Sequence, residues 1–132
     1  MKIDQKSEIT KILMDEMLCH IAFTTEIDGE AQPCVIPMYY VIHRDELVIH
    51  GSVGSRLMNA LQKQRCCVSV AILDGIVYAR SAFHHSMNYR SAVVFGRAVE
   101  VEGEEKMHAL KIVTENILKG RWNRSRCTRR RW

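Results

Sequence analysis

His50-Gly51-Ser52-Val53-Gly54-Ser55-Arg56-Leu57 joins an alternating apolar run, Glu46 to Ile49, to a helix-like run, Arg56 to Gln64. Glycines, serines and an arginine thus stand where a strand hands over to a helix. Such a stretch offers what an anion needs: φ-permissive residues, small hydroxyl donors, free N–H groups and a fixed cation. Taken alone, it reads more simply as a strand-to-helix loop with Ser55 as N-cap, because short Gly/Ser motifs recur by chance. The runs on either side decide between the two.

Upstream, Ser7 to Leu18 sets Ile9, Ile12, Leu13, Met17 and Leu18 near helical spacing, with Ser7 as N-cap. The β-prone run His20 to Thr25 leads into Asp28-Gly29, a hairpin-turn dipeptide. The return strand, Ala31 to Val41, carries Pro33 and Pro37, which implies an edge, a bulge or an opened ladder with backbone groups left free. Arg44-Asp45 makes the next turn, and Leu47 to His50 the next strand.

Downstream, Cys66 to Leu73 reads as a buried strand, Asp74-Gly75 as a second hairpin turn and Ile76 to Arg80 as its return. Ser91 to Val101 is a further strand with Gly96 as a candidate bulge. Glu104 to Leu118 is the last helix, with Met107, Leu110, Lys111, Ile112, Val113 and Ile117 marking its buried stripe. About six strands, joined mostly by hairpins and flanked by helices, predict a mainly β fold: an antiparallel barrel, closed or partly open. No βαβ alternation is present, so a Rossmann reading fails.

The 132 residues suffice for one domain with one core. A hydrophobic content of 47% with 26% charged residues is ordinary for a globular protein and counts against disordered and membrane classes. No apolar run has the length of a membrane span, and the polar start Met1 to Lys6 is no signal peptide, so the expected location is cytoplasmic. Five cysteines, odd in number and mostly inside apolar runs, suit reduced core thiols better than a disulfide framework. Adjacent Cys66 and Cys67 should point to opposite faces of a strand, and no CxxC pair exists to hold a metal. The net charge of +4 sits in the tail: without the seven Lys and Arg from Lys119 onward, 12 basic residues face 15 acidic ones. Any nucleic-acid affinity would rest on that tail alone.

A second constellation is Ser81-Ala82-Phe83-His84-His85-Ser86-Met87-Asn88-Tyr89-Arg90-Ser91, a loop dense in polar, aromatic and basic side chains. Neighbouring histidines seldom converge on one ion, and with no Asp, Glu or Cys beside them no metal is assigned. Tyr89-Arg90-Ser91 suits stacking on and hydrogen bonding to a planar ligand, or an interface loop in a dimer; the two are compatible.

Ile36-Pro37-Met38-Tyr39-Tyr40, then Ile49-His50-Gly51-Ser52 with Ser55-Arg56, then Ser81 to Ser91, resembles in content and order the pyridoxamine 5′-phosphate oxidase-like family of flavin-binding split barrels. The likeness runs from about Leu13 to about Trp122 and is nearest to the flavin-nucleotide-binding, nitroimidazole-resistance branch. It implies an antiparallel split barrel, Greek-key-like, and a homodimer with FMN in clefts between the subunits. The phosphate would be held by Ser52, Ser55 and Arg56, with His50 and Gly51 also among the cofactor-binding residues. The strand Val35 to Tyr40, with Ile36, Pro37, Met38 and Tyr39, would run beside the isoalloxazine ring. Tyr89, Arg90 and Ser91 would come from the partner subunit. The oxidase proper has an arginine near Val35 and a lysine where this chain has Leu57, and it uses Trp and Arg residues in a C-terminal segment. Those departures count against the oxidase's own reaction. Residues 1–122 are read as one FMN-binding domain, and 123–132 as a basic tail with a truncated or altered end.

The function this implies is an FMN-dependent oxidoreductase that reduces a small planar, electron-poor substrate, with NADH or NADPH as a candidate reductant and His50 or His84 as candidates for a proton donor. The alternative is a flavin or haem carrier without turnover, in which His50, His84 or His85 is the axial ligand. A nucleic-acid-binding tail ranks last. No GxSxG, Walker loop, HExxH or acid–base carboxylate pair is present, which favours chemistry borne by a cofactor.

Overall fold

The computed structural model describes residues 5–52, 54–62 and 64–124, with the side chains of Gln5, Lys6, Arg56 and Leu57 outside that description. Helix α1 (Gln5–Asp15) is followed by strands β1 (Leu18–Ile27), β2 (Glu30–His43) and β3 (Glu46–Ile49). Then come α2 (Arg56–Gln62), β4 (Arg65–Val77), a 3-10 turn (Ala82–His84), β5 (Ser86–Arg97), α3 (Gly103–Ile117) and α4 (Arg121–Arg124). The strands form one antiparallel sheet in the order β3-β2-β1-β4-β5. The mainly β class with flanking helices is borne out.

Asp28 and Gly29 both take positive φ (52° and 82°), as a type I′ hairpin requires, and the β1–β2 ladder runs to Ile27↔Glu30. Arg44 and Asp45 also take positive φ, 50° and 66°, at the cost of left-handed backbone in two non-glycine residues. The Asp74-Gly75 turn is a correction. Neither residue takes positive φ, and β4 runs through them with a register shift between Leu73↔Tyr89 and Gly75↔Asn88. The dipeptide makes a bulge instead of a hairpin, so five strands are seen among the described residues where the sequence pattern counts six. The bulge foreseen at Gly96 is not there: Gly96 pairs in register with Cys66.

β5 also begins earlier and ends earlier than its hydrophobic run suggests. It covers most of the anticipated loop from Ser86, and it stops at Arg97, opposite the first residue of β4. Beyond that point no strand faces it among the described residues, and Val99 is 82% exposed. Ser7 lies inside α1 and so caps nothing, while Leu18 opens β1. On α3 only Val113 is buried; Met107 and Ile117 are exposed.

Strand alternation divides the sheet cleanly. Cys19, Ile21, Phe23, Val68, Val70 and Ala92 face a core that Leu13 of α1 and Leu61 of α2 close. Cys19 and Cys66 are buried in it, Cys34 and Cys67 are half-buried, and all four are free; Cys127 lies outside the described residues. Tyr40 is the largest buried side chain, its hydroxyl donating to the Leu13 carbonyl at 2.6 Å. Among the described residues no helix is long and apolar enough to cross a membrane.

Burial pushes the Tyr40 phenol up to about 12 from its ordinary 10. A raised phenol pKa favours folding below the ordinary value and loses that contribution as pH climbs through the folded one. Stability should therefore fall between pH 10 and about 12. Tyr40→Phe should flatten that slope and, by stranding a buried carbonyl, cost about 1–3 kcal/mol in urea unfolding near neutrality.

Candidate functional site

Two strand features place the first candidate site. β2 pairs with β1 from Glu30 to Tyr39, whereas β3 covers it only from Tyr40 to His43. Among the described residues, the arm 30–39 therefore has one edge without a partner strand. Pro33 and Pro37 lie on that arm, where a missing N–H is tolerated, and the expectation of an edge with free backbone groups holds. Val35 and Pro37 are exposed, while Ile36 and Met38 turn in against the core. Tyr39 accepts a hydrogen bond from Asn116 Nδ2 at 2.8 Å, which docks α3 beside this arm.

The opening stretch follows β3 directly. His50 and Ser52 are exposed and Ser55 is half-buried; the Ser55 N–H donates to the Ser52 carbonyl at 3.0 Å. The Asn59 N–H then donates to the Ser55 carbonyl at 3.3 Å, the first bond of α2, so Ser55 does stand at the N-cap. The glycines do not use the φ freedom that their type suggested. Neither Gly51 nor Gly54 has positive φ. A Cβ on Gly51 would come within 2.6 Å of Met58 Sδ, so a larger residue there would have to push the flexible Met58 side chain aside. The candidate cation, the Arg56 side chain, lies outside the described residues.

Tyr89, Arg90 and Ser91 lie on β5, not on a loop. Tyr89 and Ser91 share the outer face of the sheet with Val35, Pro37, Val93 and Phe95. That face is unusually apolar for solvent: Val35, Tyr89 and Phe95 are 63%, 62% and 67% exposed. Arg90 points the other way. Its Nε and Nη2 donate to the Asp74 carboxylate at 3.0 Å, and its Nη1 donates to Asp15 Oδ2 at 2.7 Å. The bulge thus presents Asp74 to the guanidinium fork, and the end of α1 presents Asp15. Sequence reading missed both carboxylates, because Asp74 looked like a turn residue and Asp15 like the polar side of a helix.

His84 is exposed on the 3-10 turn. His85 accepts the Ala79 N–H at Nδ1, 3.1 Å away, and meets the Tyr78 ring edge-on, so it holds the loop together. In the order of the sheet, β2, β1 and β4 stand between β3 and β5.

Comparison with known proteins gives the arrangement its context. A family model described as pyridoxamine 5′-phosphate oxidase matches residues 5–131. No curated protein matches the sequence. Among solved structures, the flavocytochrome Anf3 from Azotobacter vinelandii is 34% identical, with a TM-score of 0.77 over 90% of this chain and 55% of its own. An FAD and haem binding protein from Mycobacterium smegmatis is 37% identical, with a TM-score of 0.79 over 93% of this chain and 59% of its own. A candidate 5-nitroimidazole antibiotic resistance protein from Bacteroides thetaiotaomicron is 28% identical, with a TM-score of 0.71 over 89% of this chain and 69% of its own. The chain spans under two thirds of the length of the first two.

Hydrogen bonds from Arg90 hold the Asp74 carboxyl below its ordinary value of 3.8. A depressed carboxylate favours folding above that ordinary value and loses the contribution as pH falls through the folded one. An NMR titration should therefore place the Asp74 midpoint below 3.8. Arg90→Lys, which cannot make the two-toothed contact, should move that midpoint back up.

Proposed function

The chain belongs to the pyridoxamine 5′-phosphate oxidase family, and from that premise we propose that it is a flavin-binding protein, FMN being the expected form, that acts as an oxidoreductase on a small planar, electron-poor substrate. The free edge of β2 beside the 50–56 stretch is the observation that supports the reading most. A flat ring can lie along 35–39 and meet unpaired backbone groups there, while the phosphate reaches Ser52, Ser55 and Arg56. When bound, a flavin supplies reversible electron transfer at N5 and C4a. The chain's own part is to orient it: Ile36 and Met38 hold the arm to the core, and Pro37 keeps a donor away from the edge.

In this reading residues 1–122 act as one unit and the protein works as a homodimer. The outer face, with Val93 and Phe95, packs against a second copy, and Tyr89 and Ser91 of that copy complete the ring site. His50, next to the phosphate stretch, is the better placed of the two candidate proton donors, since His84 sits on the 3-10 turn between β4 and β5. The names of two similar structures, a flavocytochrome and an FAD and haem binding protein, support a second reading in which the chain also carries haem.

Purified protein mixed with FMN should quench flavin fluorescence with a micromolar or lower Kd. Arg56→Ala should weaken binding about tenfold to a hundredfold, the equivalent of about 1.5–3 kcal/mol for a charged hydrogen bond. Unchanged affinity would place the phosphate elsewhere. In sedimentation, Phe95→Asp should shift a dimer to monomer and weaken FMN binding with it. FMN binding by a fully monomeric variant at wild-type strength would remove the partner from the site.

A further inference from the structure

On the outer face of the sheet, side chains from four strands line up in rows. Val35, Ala22, Cys67 and Phe95 pair in turn across β2, β1, β4 and β5 and make one row. Pro37, His20, Ser69 and Val93 make the next. Neither row holds an Asp, Glu, Lys or Arg. Charge begins beside them, where Arg65 faces Arg97. Exposed Val35, Val93 and Phe95 stand on the outer strands, and small Ala22, Cys67 and Ser69 lie on the middle ones. An uncharged centre with charge at its rim is the composition of a surface that another protein covers. Large side chains flanking a trough of small ones suit a second identical face, because each copy can lay its ridges in the other's trough.

His20 is the exception in this patch. It is exposed, and it alone in the two rows is of the type that ordinarily changes charge between about pH 5 and 8. Its neighbours on the face are Pro37 and Ser69 across the strands, and Leu18 and Ala22 along its own. The diagonal positions are Val35, Tyr39, Cys67 and Ala71. A phenol and a thiol are the titratable groups among these neighbours, and neither kind supplies a counter-charge near neutrality. No carboxylate is among them.

A neutral imidazole can be covered in such surroundings, whereas an imidazolium would lose its hydration with nothing to replace it. We infer that His20 gates the dimer by pH, and the flavin site with it: two copies close while His20 is neutral and part when it gains a proton. The inference rests on the dimer reading of the previous subsection, which assigns no group to control assembly. An interface between two identical faces holds His20 twice. The dimer then binds fewer protons than the separated chains, so it weakens as pH falls. Flavin affinity falls with it, because Tyr89 and Ser91 of the second copy complete the ring site. The remaining histidines lie off these rows: His43 meets His108 of α3, His50 follows β3, and His84 and His85 are at the 3-10 turn.

The test is sedimentation of the full chain from about pH 8 down to about pH 5.5, with FMN fluorescence quenching on the same samples. The dimer dissociation constant should rise about tenfold or more over that range, and flavin affinity should decline in step. His20→Gln, which takes no proton, should hold the dimer throughout. His20→Arg, always charged, should be monomeric even at the upper end, with circular dichroism and urea unfolding showing that it is folded. A wild-type dimer insensitive to pH, or a His20→Gln dimer as sensitive as wild type, would overturn the gate and leave the dimer standing. Dimerisation of folded His20→Arg at wild-type strength would overturn it as well. A wild-type chain monomeric at every pH would end the dimer reading and the gate together. A pH-sensitive dimer that fails to quench FMN would uphold His20 as the gate of assembly and end the flavin reading.

Discussion

Tyr40 is the residue on which the architecture turns. Up to Tyr39, β2 pairs with β1; from Tyr40 onward its partner is β3. At that change-over the Tyr40 hydroxyl reaches the Leu13 carbonyl of α1, and its N–H donates to the Met17 carbonyl at 3.1 Å. One buried ring therefore fixes a helix, the link after it and the point where a strand exchanges neighbours. A buried hydrogen bond is modest in net energy but costly to leave half-made, so the exchange is fixed to one position. The free edge along 30–39 is the direct consequence.

α1 is tied at a second point. Its last residue, Asp15, meets Arg90, which also grips Asp74 on the β4 bulge. Ion pairs as exposed as these contribute little energy singly. Their value lies in geometry: the planar fork sets the angle of the β4–β5 ribbon against the helix that Tyr40 has already positioned. Both halves of the sheet are thus referred to α1, and the outer face of β5 is held in a fixed relation to the free arm of β2.

Much of this was legible in the sequence, and the exceptions have physical reasons. The first helix, the Asp28-Gly29 hairpin and the proline-marked edge follow from local chemistry, and they appear. Asp74-Gly75 has the same letters as Asp28-Gly29, but a carboxylate sought by Arg90 and a long facing strand make it a bulge, and neither partner is local. The β5 boundary failed for a related reason: Val99 and Val101 are good strand residues, but a strand persists only where another faces it. At Gly51 the residue type suggested backbone freedom, whereas its φ is not positive and what lies against it is the Met58 side chain, seven positions away on α2. His43 gave no signal at all. Its Nε2 is buried without a partner and its ring meets His108 of α3 edge-on, a neighbour that no pattern within either segment encodes.

The sidedness of the sheet bears on how the candidate flavin residues can act together. Val35, Pro37, Tyr89 and Ser91 emerge on one face, yet β1 and β4 separate the strands that carry them. In the order of the sheet, a ligand lying along the free edge of β2 is thus two strands removed from Tyr89 of its own chain. Two copies meeting face to face need no such break: the ribbon of one can approach the free arm of the other. The same contact would remove the large exposed side chains of β5 from water, at about 25 cal/mol for each Å² of apolar surface buried. Burial and completion of the site thus require the same arrangement. In that arrangement the hydrophobic face is part of the chemistry, because assembling the dimer and assembling the flavin site become one event.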